Sequence, residues 1–109
     1  MKRGDVVLAV LSGDFGKPRP AVVVQNDAIT SAGAESIILC PMTSVVSSGR
    51  RVRVAVQPSS QNGLDLPSEI MVEKVVAVAL GRLRAVIGRL DAATMRAVDR
   101  ALYLVLGLP

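Results

Sequence analysis

The sequence of 109 residues contains no histidine and a single cysteine, Cys40. The absence of histidine excludes His-dependent catalytic triads, His-ligated zinc and imidazole acid–base pairs. One cysteine cannot form an internal disulfide, which fits a protein of the reducing cytoplasm. With one thiol and no imidazole, we expect neither a metal site nor a cofactor. An active site in this chain must therefore use arginine, lysine, carboxylate, hydroxyl or backbone groups.

Aromatic residues and long hydrophobic runs are also scarce. Phe15 and Tyr103 are the only aromatics, so the core must consist of valine, leucine, isoleucine and alanine. The first apolar run, Val6–Leu11, is too short for a signal peptide, and Asp5 interrupts the entry to it. No segment approaches the roughly 18 apolar residues of a membrane span. We expect a soluble, cytoplasmic protein with a single domain over residues 1–109.

The net charge is +4, from thirteen basic and nine acidic residues. This excess fits a polyanionic partner such as nucleic acid, although many ordinary domains share it.

Short valine-rich runs separated by Gly, Pro and Ser clusters predict a small β-barrel. The predicted strands are Val6–Leu11, Arg19–Asn26, Glu35–Leu39, Arg51–Val56, Ile70–Val72, Val75–Leu80 and Ala85–Ile87. The third strand should stop at Cys40-Pro41 because proline cannot donate to a ladder. Asp27–Gly33 and Gln57–Ser68 are predicted to be connections. In the fourth strand, alternation places Arg51 and Arg53 together on a solvent-facing side.

The C-terminal segment has the clearest helix signals. Asp91 is a suitable N-cap, and Gly107 stands where a residue after the last turn should. The residues between them that recur at spacings of three and four form one apolar stripe: Met95, Val98, Leu102 and Val105. The fold class is therefore mainly β, a small barrel with one C-terminal α-helix.

Arg19 is the first candidate for a functional side chain. Pro18 and Pro20 stiffen the backbone on either side of it, and a guanidinium held in this way offers a rigid fork of donors to a phosphate. Lys17 adds a second cation. The alternative is an arginine in a solvated turn, which is the commoner situation for a single surface arginine.

Further candidates are hydroxyls and basic clusters. Thr43 and Ser44 follow a terminated strand, where hydroxyls either donate to a phosphate oxygen or cap a turn. The basic runs form a solvated face or bind an RNA backbone. Their members are Arg50, Arg51, Arg53, Arg82 and Arg84.

The loop before Arg19 carries two more candidates. Asp14 either acts as a base or pairs with Lys17. Phe15 either stacks on an unpaired base or plugs the barrel mouth. Cys40 is expected to be a small core residue, since no imidazole exists to activate it.

Taken in order, these segments resemble the MazF/PemK toxins over essentially the whole chain. The segments that carry the resemblance are Arg3-Gly4-Asp5-Val6, Lys17-Pro18-Arg19-Pro20-Ala21-Val22-Val23-Val24, Asn26-Asp27, Pro41-Met42-Thr43-Ser44, Gly63-Leu64, Ser68, Val72-Glu73-Lys74-Val75, Ile87-Gly88-Arg89-Leu90-Asp91, Met95, Val98-Asp99, Ala101-Leu102 and Leu106-Gly107-Leu108. The resemblance implies an SH3-like barrel, a homodimer and metal-independent, sequence-selective cleavage of single-stranded RNA. It also implies a cognate antitoxin whose flexible C-terminal segment occupies the RNA groove.

Carried over by position, Arg19 matches the family's catalytic arginine and Thr43 its catalytic hydroxyl, with Ser44 adjacent. Asp14 falls where some members carry a functional acidic residue. Some members use a histidine that this sequence lacks, so their acid–base scheme does not transfer whole.

Two other readings belong to different functional classes. The gyrase-poisoning toxin CcdB resembles this fold, but it binds through aromatic residues near its C-terminus, and Leu104–Pro109 contains none. A non-catalytic RNA-binding barrel generally uses several stacking aromatics, and this chain offers only Phe15 near the proposed site.

Overall fold

The valine-rich runs form antiparallel strands in the computed structural model, which describes residues 1–46 and 52–109. β-Branched side chains favour pleated, packed strands, and glycine- or proline-containing turns separate these runs. The elements are β1 (Asp5–Val10), β2 (Pro18–Val23), α1 (Asp27–Ser31), β3 (Ser36–Thr43), β4 (Arg53–Val56), β5 (Ser68–Met71), a 3₁₀ turn (Val72–Lys74), β6 (Val76–Ala79), a second 3₁₀ turn (Leu80–Arg82), β7 (Leu83–Arg89) and α2 (Ala92–Leu106).

The strands pair in the order β4-β5-β3-β2-β1-β7, and β6 pairs with β3 beside that path. All the pairings are antiparallel. Over the ranges that the structure describes, β4 and β7 are the two ends, and no ladder joins them. The mainly β class with a terminal helix is therefore confirmed, as an open, barrel-like sheet.

The central strands are buried on both faces. Val6, Val22 and Cys40 belong to one cluster, which also contains Val98 and Ala101 of α2. The alternate residues of β1–β3 form a second cluster on the opposite face: Val7, Ala9, Ala21, Val23, Ile37 and Leu39. Because successive side chains of a strand point to opposite faces, one valine run supplies both clusters.

The prolines do not end strands where we expected. The prediction that the third strand stops at Cys40-Pro41 is wrong, since β3 continues to Thr43. Pro41 lies where β3 exchanges one partner for another: β6 pairs with it up to Leu39, and β5 pairs from Met42. Pro41 pairs with Ala21 of β2 on the other side of β3, and on this side it lies between two ladders, where no partner strand requires its amide.

The second strand begins at Pro18, before its predicted start at Arg19. Pro18 and Pro20 pair with β1, whereas the β3 ladder begins only at Ala21. The two prolines thus occupy the one-sided part of β2, where a missing donor is tolerated.

The predicted connection Asp27–Gly33 contains the short helix α1. Asn26 is its N-cap, and the side chain accepts a 2.8 Å hydrogen bond from the amide of Ala28. No residue of α1 is buried, so the apolar periodicity that predicts helices is absent.

The C-terminal helix is confirmed with both of its caps. The Asp91 carboxylate accepts a 2.7 Å hydrogen bond from the amide of Thr94, and Gly107 adopts a left-handed φ of 68°. Val98 is buried, and Met95, Leu102 and Val105 pack against the first core cluster. Within the described ranges, neither helix combines the length and apolarity needed to cross a membrane.

Candidate active site

An open groove of about 770 Å³ runs between the β1–β2 loop, the end of β3 and the segment around Gly63–Leu66. It brings together the four candidate catalytic side chains and one of the candidate RNA-binding side chains. These are Asp14, Lys17, Arg19, Thr43 and Ser44. They come from two segments more than twenty residues apart, which β2 and β3 place side by side.

Arg19 lies in β2 opposite Ala9, in the part of the strand that pairs only with β1. Its side chain is 47% exposed, so the guanidinium is accessible from the groove. The backbone below it is fixed by ladder pairing and by the rings of Pro18 and Pro20. The result is a cation on a rigid base with an open face.

Asp14 lies beside Arg19 and forms an ion pair with it. Its Oδ1 is 3.7 Å from Nε of Arg19, which is an ionic contact longer than a hydrogen bond. The side chain of Asp14 is 25% exposed. The Asp14 carboxylate therefore pairs with Arg19 and not with Lys17, the partner considered from the sequence.

Thr43 and Ser44 lie at the end of β3, facing the same groove. The Thr43 hydroxyl oxygen accepts a 3.1 Å hydrogen bond from the amide of Val45. A hydroxyl that accepts one bond still has its own proton to donate. Thr43 therefore caps a turn and can also present a donor to a phosphate oxygen.

A further wall of the groove is formed by the segment after Asn62. Asn62 is buried, its Oδ1 accepts from the amides of Ser59 and Leu64, and its Nδ2 donates to the carbonyl of Gln57. This network holds the loop together, and the residues 63–66 that follow Asn62 line the same groove as Arg19 and Thr43.

Backbone contact between this wall and β7 is close. A Cβ on Gly63 would lie 2.1 Å from the carbonyl oxygen of Ile87, and one on Gly88 would lie 2.3 Å from the carbonyl carbon of Asn62. Gly63 also adopts a φ of 71°, which side chains disfavour. Glycine at these two positions is a steric requirement of the groove.

The predicted RNA-binding cations differ in their positions relative to the groove. Lys17 lines the groove, and Arg82 lines a smaller cavity that adjoins it. Arg84 lines neither of these cavities and donates instead to the carbonyls of Gly81 and Leu83. Arg50 and Arg51 lie outside the described residues.

Arg53 is not on a solvent-facing side, so that expectation is wrong. Its side chain is only 9% exposed and donates from Nε and Nη2 to one oxygen of Glu73, at 2.9 and 2.8 Å. Its Nη1 is 3.5 Å from Glu69. The hydrogen bonds to Glu73, and then those to Glu69, raise the pKa of Arg53. This arginine ties β4 to β5 and to the following 3₁₀ turn.

Phe15 is fully exposed and does not plug the barrel. It has a positive φ of 53°, uncommon for a residue with a side chain, between Gly13 and Gly16, which also have positive φ. Its ring therefore projects from the tip of the loop that carries Asp14 and Lys17.

Sequence reasoning missed Lys74 as a groove residue. Lys74 follows β5 in the 3₁₀ turn and lines both the groove and the adjoining cavity. Its position depends on where β5 ends relative to β3, which the sequence does not reveal.

Cys40 is buried at the centre of the core, as expected. Burial raises the pKa of its thiol to about 12, with a smaller opposing effect of Arg3. A protonated, enclosed thiol cannot act as a nucleophile. Over the described parts of the chain, no three His, Cys, Asp or Glu side chains converge in a way that could hold a metal ion.

Comparison with known proteins gives consistent matches along the whole chain. The family model described as PemK-like, MazF-like toxin of type II toxin–antitoxin system matches residues 2–106. A probable endoribonuclease MazF of Mycolicibacterium smegmatis is 32% identical over 109 residues, covering 99% of this chain and 98% of the relative. The endoribonuclease EndoA of Bacillus subtilis is 30% identical, with 99% and 96% covered.

Among solved structures, an endoribonuclease from a mycobacterial species, in complex with its cognate antitoxin, has a TM-score of 0.82 at 23% identity. The match covers 100% of this chain and 97% of that one. The fold, the family model and the curated relatives agree, and this chain belongs to the PemK-like, MazF-like toxin family of type II toxin–antitoxin systems.

Proposed function

We propose that this protein is the toxin of a toxin–antitoxin pair and cleaves single-stranded RNA with Arg19 and Thr43 as the central catalytic groups. The observation that carries the proposal is that the Arg19 guanidinium and the Thr43 residue line the same open groove. The endoribonuclease names of the relatives from M. smegmatis and B. subtilis support the reaction class.

The proposed reaction uses a nucleophile from the substrate. The ribose 2′-oxygen attacks the adjacent phosphorus, an O2′–P bond forms, and the P–O5′ bond breaks. The products are a 2′,3′-cyclic phosphate and a free 5′-hydroxyl. The 2′-OH proton passes to a base, and the leaving 5′-oxygen gains a proton. No metal or protein nucleophile is required, and DNA, which lacks the 2′-OH, is not a substrate.

The chain's own residues orient the strand and stabilise charge. Arg19 faces the phosphorane with its guanidinium, and its high pKa keeps it positively charged and makes it a poor base. We therefore assign it charge stabilisation, and its protonated form is the candidate proton donor to the leaving oxygen. The Thr43 hydroxyl donates a hydrogen bond to the scissile phosphate, with Ser44 next to it. Asp14, 3.7 Å from Arg19, both orients the guanidinium and is the candidate base.

Lys17 and Phe15 serve substrate binding in this proposal. Lys17 lines the groove and meets the RNA backbone. Phe15 is exposed at the tip of the same loop, where its ring can stack on an unpaired base.

The partners follow from the same proposal. Since the mycobacterial structural neighbour is described in complex with its cognate antitoxin, we infer that a cognate antitoxin also binds this chain. We further infer that the toxin acts as a homodimer in the cytoplasm, where its RNA substrate is found.

The test is cleavage of a mixed RNA substrate by purified protein in the presence of EDTA, with sequencing of the RNA ends. We expect site-selective cuts that leave 5′-hydroxyl ends. Arg19→Ala should reduce the rate by a factor of about one hundred to one thousand, the usual effect of removing one preorganised donor.

Arg96→Ala is the matched control, because Arg96 is an exposed arginine of α2 that does not line the groove. Circular dichroism and a thermal melt establish that both variants are folded. Near-normal cleavage by folded Arg19→Ala would overturn the assignment, and inhibition of gyrase supercoiling without RNA cuts would favour the gyrase-binding class instead.

A further inference from the structure

The side chain of Asn62 is buried beside the groove, where it bonds to the backbone of its own loop. It is 6% exposed. Its Oδ1 accepts from the amides of Ser59 and Leu64, both at 3.0 Å, and its Nδ2 donates to the carbonyl of Gln57 at 2.8 Å. Burying an amide side chain is costly unless it is paired in this way. The loop therefore has one arrangement in which Asn62 is satisfied.

Backbone contacts join the same loop to itself and to the sheet. The amide of Asn62 donates to Oγ of Ser59 at 3.0 Å, which makes the pairing of these two residues reciprocal. The amide of Gly63 donates to the carbonyl of Ser59 at 3.1 Å, and the amide of Arg89 in β7 donates to the carbonyl of Gln61 at 2.9 Å. The chain therefore leaves Asn62 from a fixed position on the sheet.

Leu64, one of the two residues whose amides bond to Oδ1 of Asn62, is part of the groove wall. Its side chain belongs to the first core cluster, and it lines the groove together with Asp65 and Leu66. Asn62 itself is not among the described residues that line the groove. Its side chain therefore acts on a bound strand only through the backbone that it holds.

The candidate catalytic groups are held by different contacts. Arg19 pairs with Ala9 of β1, and Thr43 pairs with Glu69 of β5. Neither of these pairings involves the loop around Asn62. A change at Asn62 should therefore move the wall and leave the reacting groups in place.

We propose that Asn62 is a positioning residue that sets the sequence selectivity of the groove. The inference rests on the proposed ribonuclease function. A wall that is already ordered costs a fitting RNA no ordering free energy on binding. A wall that is free to move adapts to other sequences, as flexible binding surfaces do. By fixing the amides of Ser59 and Leu64, Asn62 favours the one base sequence that fits the wall.

The test compares Asn62→Ala with Gln25→Ala as a matched control. Gln25 is also a buried amide, 5% exposed, and it does not line the groove. Its Oε1 accepts from the amide of Ile38 at 3.2 Å, and its Nε2 donates to Thr30 and Ser36. Both variants lose buried hydrogen bonds, so urea denaturation should show that both are destabilised. A change in selectivity that is confined to Asn62→Ala is then not an effect of stability.

Cleavage is measured with two RNAs, the preferred site found by end sequencing and the same RNA with one base changed beside the cut. For Asn62→Ala, KM for the preferred RNA should rise about tenfold, the scale of one lost hydrogen bond. Its kcat should change little, because binding is lost and the transition-state contacts are kept. The kcat/KM for the changed RNA should stay near the wild-type value, so the selectivity ratio falls about tenfold. Gln25→Ala should keep the wild-type ratio.

Two further variants and one spectroscopic measurement locate the effect. Asn62→Asp keeps an oxygen that accepts from Ser59 and Leu64 but loses the donor to Gln57, so it should recover most of the selectivity. Ser59→Ala removes the acceptor of the Asn62 amide at an exposed position, and it should lower the ratio in the same direction by a smaller factor. In hydrogen exchange, the amide of Leu64 should exchange faster in Asn62→Ala than in the wild type or in Gln25→Ala.

An unchanged ratio in folded Asn62→Ala, an equal loss in Gln25→Ala, or no recovery in Asn62→Asp would overturn the positioning role. If Asn62→Ala does not fold, an unchanged ratio in Ser59→Ala would overturn it. Failure of the proposed function has a different signature. A wild type that cut neither RNA would end the ribonuclease assignment, and the affinities of the two RNAs, measured by fluorescence anisotropy, would then replace kcat/KM in the same comparison. Equal affinities of the wild type for both would overturn the role of Asn62 as well.

Discussion

Replacing Gly88 with alanine tests how the groove wall is held against β7. The added Cβ would lie 2.3 Å from the carbonyl carbon of Asn62 and 2.5 Å from the carbonyl oxygens of Asn62 and Gln61. All three atoms belong to the backbone, so no side-chain rotation relieves the overlap. The wall must move away by about 1 Å to reach ordinary carbon contact distances.

The energetic cost follows from two contributions. Overpacking in a well-packed region costs about 1–3 kcal/mol, and contact with backbone favours the upper part of that range. The 2.9 Å hydrogen bond from the amide of Arg89 to the carbonyl of Gln61 spans the same contact, and losing it costs about 1 kcal/mol. The sum is about 3–4 kcal/mol, which for a domain of this size lowers Tm by about 12–16 °C.

The measurement is thermal and urea denaturation of the wild type, Gly88→Ala and a glycine control. Gly81 is the control, because a Cβ there meets no atom within 4 Å and its φ is not in the left-handed region. Gly81→Ala should change stability by less than about 1 kcal/mol. A Tm for Gly88→Ala within about three degrees of that of the wild type would refute the close backbone approach.

Two further predictions concern ionisable groups. Because burial raises the pKa of Cys40 to about 12, the native thiol should resist a thiol reagent at mildly alkaline pH and react once denaturant is added; rapid labelling of the native protein would contradict its burial. The hydrogen bond from Thr94 lowers the pKa of the Asp91 carboxyl in the folded state. The charged cap therefore stabilises the fold at pH values above about 4, the pKa of an aspartate in the unfolded chain. This contribution is lost as the pH falls through the lower pKa of Asp91 in the folded protein. Asp91→Asn, which keeps an acceptor but has no titrating group, should therefore lose less stability on acidification than the wild type in denaturation series; parallel acid losses would count against this.

The elements best predicted from the sequence are those with signals of their own. α2 has an N-cap, a C-terminal glycine and an apolar stripe, and all three have the predicted role. The valine run Ala21–Val24 is buried as expected for a strand packed on both faces. Such signals are local, so they need no knowledge of neighbouring strands.

Features that depend on neighbours were predicted wrongly or missed. The alternation of charged and apolar residues around Arg53 predicted a solvent-facing side. That prediction is wrong because the partners of Arg53, Glu69 and Glu73, come from β5 and the turn that follows. The end of β3 was placed too early, since a change of partner at Pro41 leaves no trace in the sequence.

The candidate site shows the same division. Arg19 and Thr43 could be named from residue type and order along the chain, and the structure places both in one groove. Lys74 could not, because its place in the groove depends on the crossing from β5 to β6.

The change of partner at Pro41 also affects how this fold can diversify. On this edge of β3 the β6 ladder ends at Leu39 and the β5 ladder begins at Met42, and Lys74 and Arg82 lie in the 3₁₀ turns that line the adjoining cavity. We expect substitutions at Lys74 and Arg82, which belong to no ladder, to leave the strand register and the valine core intact. Relatives of this chain can therefore differ at these two positions without a loss of stability.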